Sequence, residues 1–170
     1  MIKVKGCVLV VDDSPAMRET LADLLRIENY CPILASNGKE ALDKLQQVLP
    51  NLIVTDLMMP VLDGISFMEA LAQNDLLEHL PVILMTGSDI QATKTRLHNS
   101  GLTAHVVQKP LNLHDFMLLV DDAVARQLTF RAPRPESTSL GPLNPAPLSG
   151  QGGPGDGGRK NRPGEGRKTR

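Results

Sequence analysis

Five polar side chains that could do chemistry stand at the ends of four apolar runs of the sequence. They are two neighbouring acids, a third acid, a hydroxyl and an ammonium: Asp12, Asp13, Asp56, Thr86 and Lys109. Apolar runs of this length are typical of strands buried on both faces of a parallel sheet. Functional groups at the carboxyl ends of parallel strands meet in one crevice. The pattern therefore predicts that three carboxylates, a hydroxyl and an ammonium share one site.

Three carboxylates in one crevice need a counter-charge. Two like charges about 4 Å apart repel by roughly 4 kcal/mol at an effective dielectric constant of about 20. A hard divalent cation with oxygen ligands offsets this repulsion, and Mg²⁺ suits a site with few carboxylates and several waters. Lys109 can neutralise one more charge. We therefore expect a Mg²⁺ site formed by these acids.

A carboxylate flanked by Mg²⁺, a lysine and a hydroxyl is suited to phosphoryl transfer. Asp56 could attack phosphorus as a nucleophile and form an acyl phosphate. Mg²⁺ and Lys109 would then offset the charge spread over the equatorial oxygens. The Thr86 hydroxyl could donate to a phosphoryl oxygen, and Gly87 behind it leaves room for that group.

Strand and helix signals alternate between residues 4 and 128, and this alternation would position the polar residues. The predicted strands are 4–11, 31–35, 52–56, 81–86 and 104–108. The predicted helices follow them at about 15–29, 38–49, 65–74, 90–100 and 113–128. Five strand–helix repeats predict a doubly wound α/β fold with a five-stranded parallel sheet and five helices.

Residues 131–170 differ sharply in composition from the rest of the chain. They contain seven Pro and nine Gly and carry a net charge of +5, which leaves −6 for residues 1–130. Such a segment has little to bury, so we expect a disordered, Pro/Gly-rich basic tail. It cannot form a winged helix-turn-helix, and it lacks aromatics for base stacking. We therefore expect no sequence-specific DNA binding.

The remaining bulk properties favour a cytoplasmic protein. The first residues become polar too quickly for a signal peptide, and no apolar run approaches the roughly 18 residues of a membrane span. Cys7 and Cys31 show no metal or disulfide spacing, so we expect two buried free thiols.

Several short segments together resemble the receiver domain of two-component response regulators, of the chemotaxis-type single-domain kind. The segments are Val10–Ser14, Thr55–Pro60 with Asp63-Gly64, Met85–Gly87 and Lys109-Pro110. The resemblance covers about residues 5–128, and we place the domain at 4–128. It favours the flavodoxin-like strand order 2-1-3-4-5, which would bring the acids of the first and third strands together.

The resemblance implies a role for each matching position. Asp56 would be the phosphoacceptor, Thr86 would follow the phosphoryl group inward, and Lys109 would pair with it. The Mg²⁺ ligands would be Asp13, Asp56 and the backbone carbonyl of Met58, with Asp12 acting through water. The family also implies a cis Lys109-Pro110 bond and a tight turn at Asp63-Gly64.

One position departs from the family pattern. Receivers usually carry Tyr or Phe three residues before the lysine, as a rotamer switch coupled to the threonine. That position is Val106 here, and a spacing one residue longer than usual makes His105 a second candidate. The usual aromatic switch is missing in either case, so signalling gated by an aromatic ring is in doubt.

The expected function is phosphorelay signalling. A sensor histidine kinase or phosphotransfer protein would phosphorylate Asp56, and the chain would then change its affinity for a downstream protein that the sequence does not identify. The only expected chemistry is self-phosphorylation and slow autodephosphorylation. An alternative is a scaffold that acts through the basic tail, with the receiver as its regulator. A haloacid-dehalogenase-like phosphatase is disfavoured, because Met58 stands where that family needs a second Asp.

Overall fold

The computed structural model describes residues 3–130, except residues 77 and 79. Strands and helices alternate along this part of the chain. The strands are β1 (Gly6–Val11), β2 (Tyr30–Ala35), β3 (Leu52–Asp56), β4 (Val82–Thr86) and β5 (His105–Gln108). The helices are α1 (Pro15–Ile27), α2 (Gly38–Leu45), α3 (Gly64–Gln73), α4 (Ile90–Asn99) and α5 (Leu113–Phe130). The tail predicted for residues 131–170 lies outside the described residues.

The five strands form one parallel sheet in the order β2-β1-β3-β4-β5. The predicted fold class and strand order are therefore confirmed. From the edge strand β2 the chain crosses over β1 to reach β3, so the direction of winding reverses between the central strands β1 and β3. This reversal creates the crevice at their carboxyl ends.

The two faces of the sheet carry separate apolar layers. In β1, Leu9 and Val11 face the layer formed with α2, α3 and α4, whereas Val8 and Val10 face the layer formed with α1 and α5. Every residue of β3 and β4 is buried, because helices cover both faces of these central strands. This burial explains why the strands read as continuous apolar runs rather than as alternating ones.

Side-chain caps define where four of the helices begin. The cap residues are Ser14, Asn37, Asp63 and Asp89, and each accepts a hydrogen bond from the backbone N–H three residues later. Such caps satisfy amides that have no partner inside the helix. Three of these helices follow strands β1, β2 and β4 within a few residues, so the caps keep those turns short.

Helix α2 ends at Leu45, before the predicted end at Leu49. The N–H groups of residues 47 and 48 both bond to the Lys44 carbonyl, which tightens the last turn. Pro50 disfavours helical geometry at the residue before it, so the chain leaves the helix early. Leu49 still packs against the core although it lies beyond the end of the helix.

The expectation that both cysteines are buried is wrong. Cys31 is exposed and Cys7 is half-buried, and both are free thiols. The physical reason is that β2 is an edge strand: its first residue, Tyr30, is buried in one apolar layer, whereas Cys31 lies on the opposite face of the sheet and is exposed.

Candidate functional site

Strand pairing brings three acids together at the carboxyl end of the sheet. Val11 of β1 lies opposite Thr55 of β3, so the residues that follow them are also neighbours. Asp12, Asp13 and Asp56 each have a carboxylate oxygen that lies within 4.8 Å of a carboxylate oxygen of the other two. Asp12 and Asp56 are buried, while Asp13 is exposed. The site therefore has two inner acids and one outer acid that opens to solvent.

Lys109 supplies the counter-charge to the two inner acids. Its Nζ lies 2.9 Å from Oδ2 of Asp12 and 3.2 Å from Oδ1 of Asp56. The Lys109 N–H donates to the Thr86 carbonyl at 2.8 Å, so the start of the loop after β5 is tied to the end of β4. The Lys109-Pro110 peptide bond is cis, as expected. In the described part of the chain, Lys109 is the only basic side chain that forms an ion pair with either inner acid.

One ammonium does not balance three carboxylates. Burial raises the pKa of Asp56, and although Lys109 lowers it, the net shift with the nearby Asp12 charge is upward. Burial alone would lower the pKa of Lys109, but hydrogen bonds and charge from Asp12 and Asp56 outweigh it and raise the pKa. The oxygen-only donor set and the uncompensated negative charge fit a hard divalent cation. The residues present could therefore hold such an ion.

The β1–α1 turn holds the Asp12 carboxylate in place. Its Oδ1 accepts from the Ser14 N–H at 2.8 Å, while its Oδ2 accepts from Lys109. The Asp12 backbone carbonyl accepts from Nη1 of Arg18 at 2.6 Å. Sequence reasoning missed Arg18, although its position one turn into α1 places it within reach of the preceding turn. Asp12 is thus the most constrained of the three acids.

Thr86 ends β4 with its side chain buried in a small hydroxyl cluster. Its Oγ1 accepts from the Ser88 N–H at 3.0 Å and lies 3.4 Å from Oγ1 of Thr93 in α4. The Thr93 hydroxyl also donates to the Asp89 carbonyl at 3.0 Å, and Thr93 is 1% exposed. Sequence reasoning did not single out Thr93. The available signal was its four-residue spacing from Leu97, which puts both on the buried side of an otherwise polar helix.

The β3–α3 loop presents one methionine to solvent and buries the other. Met58, two residues after Asp56, is 64% exposed, whereas Met59 packs into the core. Met58 therefore lies at the surface of the loop that follows Asp56.

Asp63 and Gly64 do not form the predicted tight turn. Asp63 caps α3 through a 2.8 Å hydrogen bond from the Ser66 N–H. Gly64 is buried at the start of α3, and a Cβ there would collide with the Asp56 carbonyl oxygen. The glycine is needed because α3 packs directly against the backbone that carries Asp56.

The structure decides between the two candidates for the missing aromatic position. Val106 lies opposite Leu84 in the sheet and packs on the same apolar layer. Thr86 lies two residues beyond Leu84, so Val106 shares its face of the sheet. His105 lies opposite Ile83, which belongs to the other layer, and it is exposed. Val106 therefore occupies the position from which an aromatic ring would face Thr86.

Comparison with known proteins gives a consistent family. The family model for the response regulator receiver domain matches residues 8–121 of the sequence. Response regulator Rre1 of Synechocystis is 32% identical over 133 residues, which cover 78% of this chain and 57% of Rre1. The polar-differentiation response regulator DivK of Brucella anthropi is 30% identical over 110 residues, covering 65% of this chain and 89% of DivK.

The solved structure of the Vibrio cholerae chemotaxis protein CheY4 superposes with a TM-score of 0.64 at 27% identity. It covers 69% of this chain and 98% of CheY4. Within the described residues, no helix is both long and apolar enough to cross a membrane. The chain spans little more than half of Rre1, so the match describes the shared domain. With its parallel sheet and acidic crevice, this chain belongs to the response regulator receiver domain family.

Proposed function

We propose that the chain is a phosphorelay response regulator and that Asp56 accepts the phosphoryl group. The observation that carries this proposal is the inner carboxylate of Asp56, held 3.2 Å from Lys109 and beside two further acids. A carboxylate in this setting has a ready counter-charge for a phosphoryl group. The raised pKa of Asp56 also marks it as an acid whose environment favours neutralisation.

The proposed reaction is an in-line phosphoryl transfer. A carboxylate oxygen of Asp56 attacks phosphorus, and the P–N bond of a phosphohistidine breaks, with its electron pair passing to the imidazole nitrogen. The signal ends by hydrolysis: water attacks the acyl phosphate, which returns the Asp56 carboxylate and releases inorganic phosphate. Lys109 pairs with the new phosphoryl oxygens, and the Thr86 hydroxyl donates to one of them.

The acids are proposed to hold Mg²⁺ while the phosphoryl group is present. Asp13, Asp56 and the backbone carbonyl of Met58 would hold the ion, with Asp12 acting through water. This division is supported by Asp12 having both oxygens engaged, by Ser14 and Lys109. When bound, Mg²⁺ neutralises negative charge on the phosphoryl oxygens.

The phosphoryl donor is proposed to be a sensor histidine kinase or a phosphotransfer protein in the cytoplasm. We also propose that the receiver domain spans residues 4–128. The family match at 8–121 supports these bounds, as do the helices and strands, nearly all of which lie within them. Phosphorylation is proposed to change affinity for a downstream protein. The alternative, a scaffold acting through residues 131–170, rests only on the net positive charge of that segment.

Phosphotransfer to matched variants tests the assignment of Asp56. A kinase carrying labelled phosphate is mixed with the wild type, Asp56→Asn and Asp122→Asn. We expect the label to be lost from Asp56→Asn only, because Asp122 is an exposed acid of α5 paired with Arg126. Removal of Mg²⁺ with a chelator is expected to abolish uptake by the wild type as well. Uptake by Asp56→Asn at the wild-type rate would overturn the proposal.

The alternative is tested by truncation after residue 130. Under our proposal the shortened chain still takes up the label and still changes its partner affinity on phosphorylation. Loss of partner binding with intact phosphorylation would favour the scaffold.

A further inference from the structure

The two cysteines of the chain lie directly opposite each other in the sheet. Cys7 is the second residue of β1 and Cys31 the second residue of β2, and they are partners in the parallel register. Neighbouring strands are roughly 4.8 Å apart, which falls within the range of roughly 4.4 to 6.8 Å that Cα atoms span across a disulfide. Side chains that are opposite in register also leave the same face of the sheet. The backbone therefore presents the two thiols to each other.

The two thiols belong to residues that lie opposite each other in the strand pair, and they differ in access to solvent. Burial, and then hydrogen bonding with Cys31, raises the pKa of the Cys7 thiol. Cys31 is exposed, whereas Cys7 is half-buried between β2 and β3 at the amino end of the sheet. An exposed thiol meets reagents from solution first, and a neighbouring thiol can then complete the exchange.

We propose that Cys7 and Cys31 form a dithiol site that low-molecular-weight disulfides of the glutathione class convert to an intramolecular disulfide. This modification is separate from phosphoryl transfer at Asp56. Five residues separate Cys7 from Asp12 along β1, which corresponds to about 17 Å at about 3.3 Å per residue. The two sites therefore lie at opposite ends of the same strand.

The exchange balances in two steps. The Cys31 thiolate attacks one sulfur of the small disulfide, forms a mixed disulfide and releases one small thiolate, which takes a proton. The Cys7 thiolate then attacks the Cys31 sulfur, and the second small thiol leaves. The protein loses two hydrogens and is oxidised by two electrons, and the small disulfide is reduced to two thiols.

Intact mass spectrometry of the folded full chain after treatment with oxidised glutathione tests the site. We expect the wild type to lose two hydrogens and to retain no glutathione, with a peptide cross-link between Cys7 and Cys31. Cys7→Ser is expected to stop at the mixed disulfide and to carry one glutathione on Cys31. Cys31→Ser is expected to react at least about tenfold more slowly, because its remaining thiol is half-buried. The chain has no third cysteine that could compete.

Three outcomes would overturn the proposal. The wild type could retain glutathione without an internal cross-link, it could form a covalent dimer through Cys31, or the cross-link could form faster in urea than in the folded chain. The last comparison separates a pair aligned by the sheet from two thiols that meet by chance in an unfolded chain. Phosphoryl uptake is not part of this readout, so the result stands apart from the fate of the Asp56 proposal.

Discussion

The two ends of the parallel sheet use polar residues in opposite ways. At the carboxyl end, three carboxylates share one lysine, and negative charge is left over. At the amino end, the Tyr30 hydroxyl donates to Asp121 of α5 at 2.5 Å, and Lys5 forms ion pairs with Asp121 and Glu28. The Lys5 Nζ also lies 5.2 Å from the centre of the Tyr30 ring. The first cluster holds more negative charge than its one lysine offsets across three acids, whereas each polar side chain of the second has a hydrogen-bond or ion-pair partner within the chain.

A second amino-end network has the same closed character. Oδ1 of Asn51 accepts from the Cys7 N–H at 2.8 Å, and its Nδ2 donates to Gln127 of α5 at 3.0 Å. These contacts join β1, the start of β3 and the last helix. Closed networks of this kind stabilise the fold, while an open, charged cluster costs stability until a ligand arrives. The difference indicates which end was shaped for binding and which for folding.

The largest expected effect comes from removing the lysine at the open end. Lys109→Met leaves two buried carboxylates without a cation, so the free energy of unfolding is expected to fall by about 3 kcal/mol without Mg²⁺. Urea denaturation with and without Mg²⁺ measures this, and added Mg²⁺ should recover part of the loss. Arg126→Gln, which breaks an exposed α5 pair, is the control and should cost less than about 0.5 kcal/mol. Equal losses of unfolding free energy in the two variants would mean that the buried ion pairs stabilise the fold no more than the exposed one does.

The next effect is a gain in unfolding free energy, expected when the charge of Asp56 is removed. The raised pKa of Asp56 means that folding favours its protonated form, and this contribution is lost as pH rises through the folded-state pKa. Asp56→Asn is therefore expected to raise the free energy of unfolding at pH 7 without Mg²⁺. The gain should shrink as the pH falls and the wild-type carboxyl becomes protonated. Denaturation at several pH values measures it, and a variant less stable than wild type at pH 7 would contradict the expectation.

At the amino end of the sheet, the effect of a single substitution on the free energy of unfolding should not depend on Mg²⁺. Burial and the hydrogen bond to Asp121 raise the pKa of Tyr30, so its hydroxyl stays a donor throughout the ordinary pH range. Tyr30→Phe removes that donor and is expected to cost about 1 kcal/mol of unfolding free energy. The same loss should be measured with and without Mg²⁺. A loss that depends on Mg²⁺ would mean that the two ends of the sheet are coupled.

The smallest effect on stability is expected at Thr93. Thr93→Val keeps the shape and changes the unfolding free energy by less than about 1 kcal/mol, but it removes the hydroxyl partner of Thr86. If phosphorylation draws Thr86 toward the phosphoryl group, α4 should respond through this contact. We expect the phosphorylation-dependent change in amide exchange over Ile90–Asn99 to fall about twofold in Thr93→Val, with Thr93→Ser behaving as wild type. An unchanged response in Thr93→Val would exclude the hydroxyl contact as the route to α4.

Much of the fold was predictable because local signals agree with it. The apolar runs before Asp12, Asp56 and Thr86 are strands within one or two residues of the predicted bounds, and helices such as α4 begin where a capping residue stands. Ends were less predictable where a neighbour intervenes. The early end of α2 depends on Pro50, and the first strand begins at Gly6 rather than at residue 4, where no other strand pairs with it.

The site was predictable in its members and less so in its contacts. Acids and a lysine at strand ends must converge once the sheet is parallel, so Asp12, Asp13, Asp56 and Lys109 could be chosen from the sequence. The burial of Thr93 had a local signal in its spacing from Leu97, but its contact with Thr86 depends on how α4 lies against β4. The exposure of Cys31 also depends on β2 being an edge strand with incomplete cover.

The sequence by itself determined the alternating elements, the acidic cluster and the family to which the domain belongs. These follow from local periodicity and from motifs a few residues long. Only the tertiary structure decided that Lys109 contacts both inner acids. It also decided that Val106 rather than His105 shares the face of Thr86. It showed as well that residue 64 must be a glycine, because a Cβ there would collide with the Asp56 carbonyl oxygen. Each of these depends on strand register or helix packing, which join residues far apart in the chain and leave no local pattern.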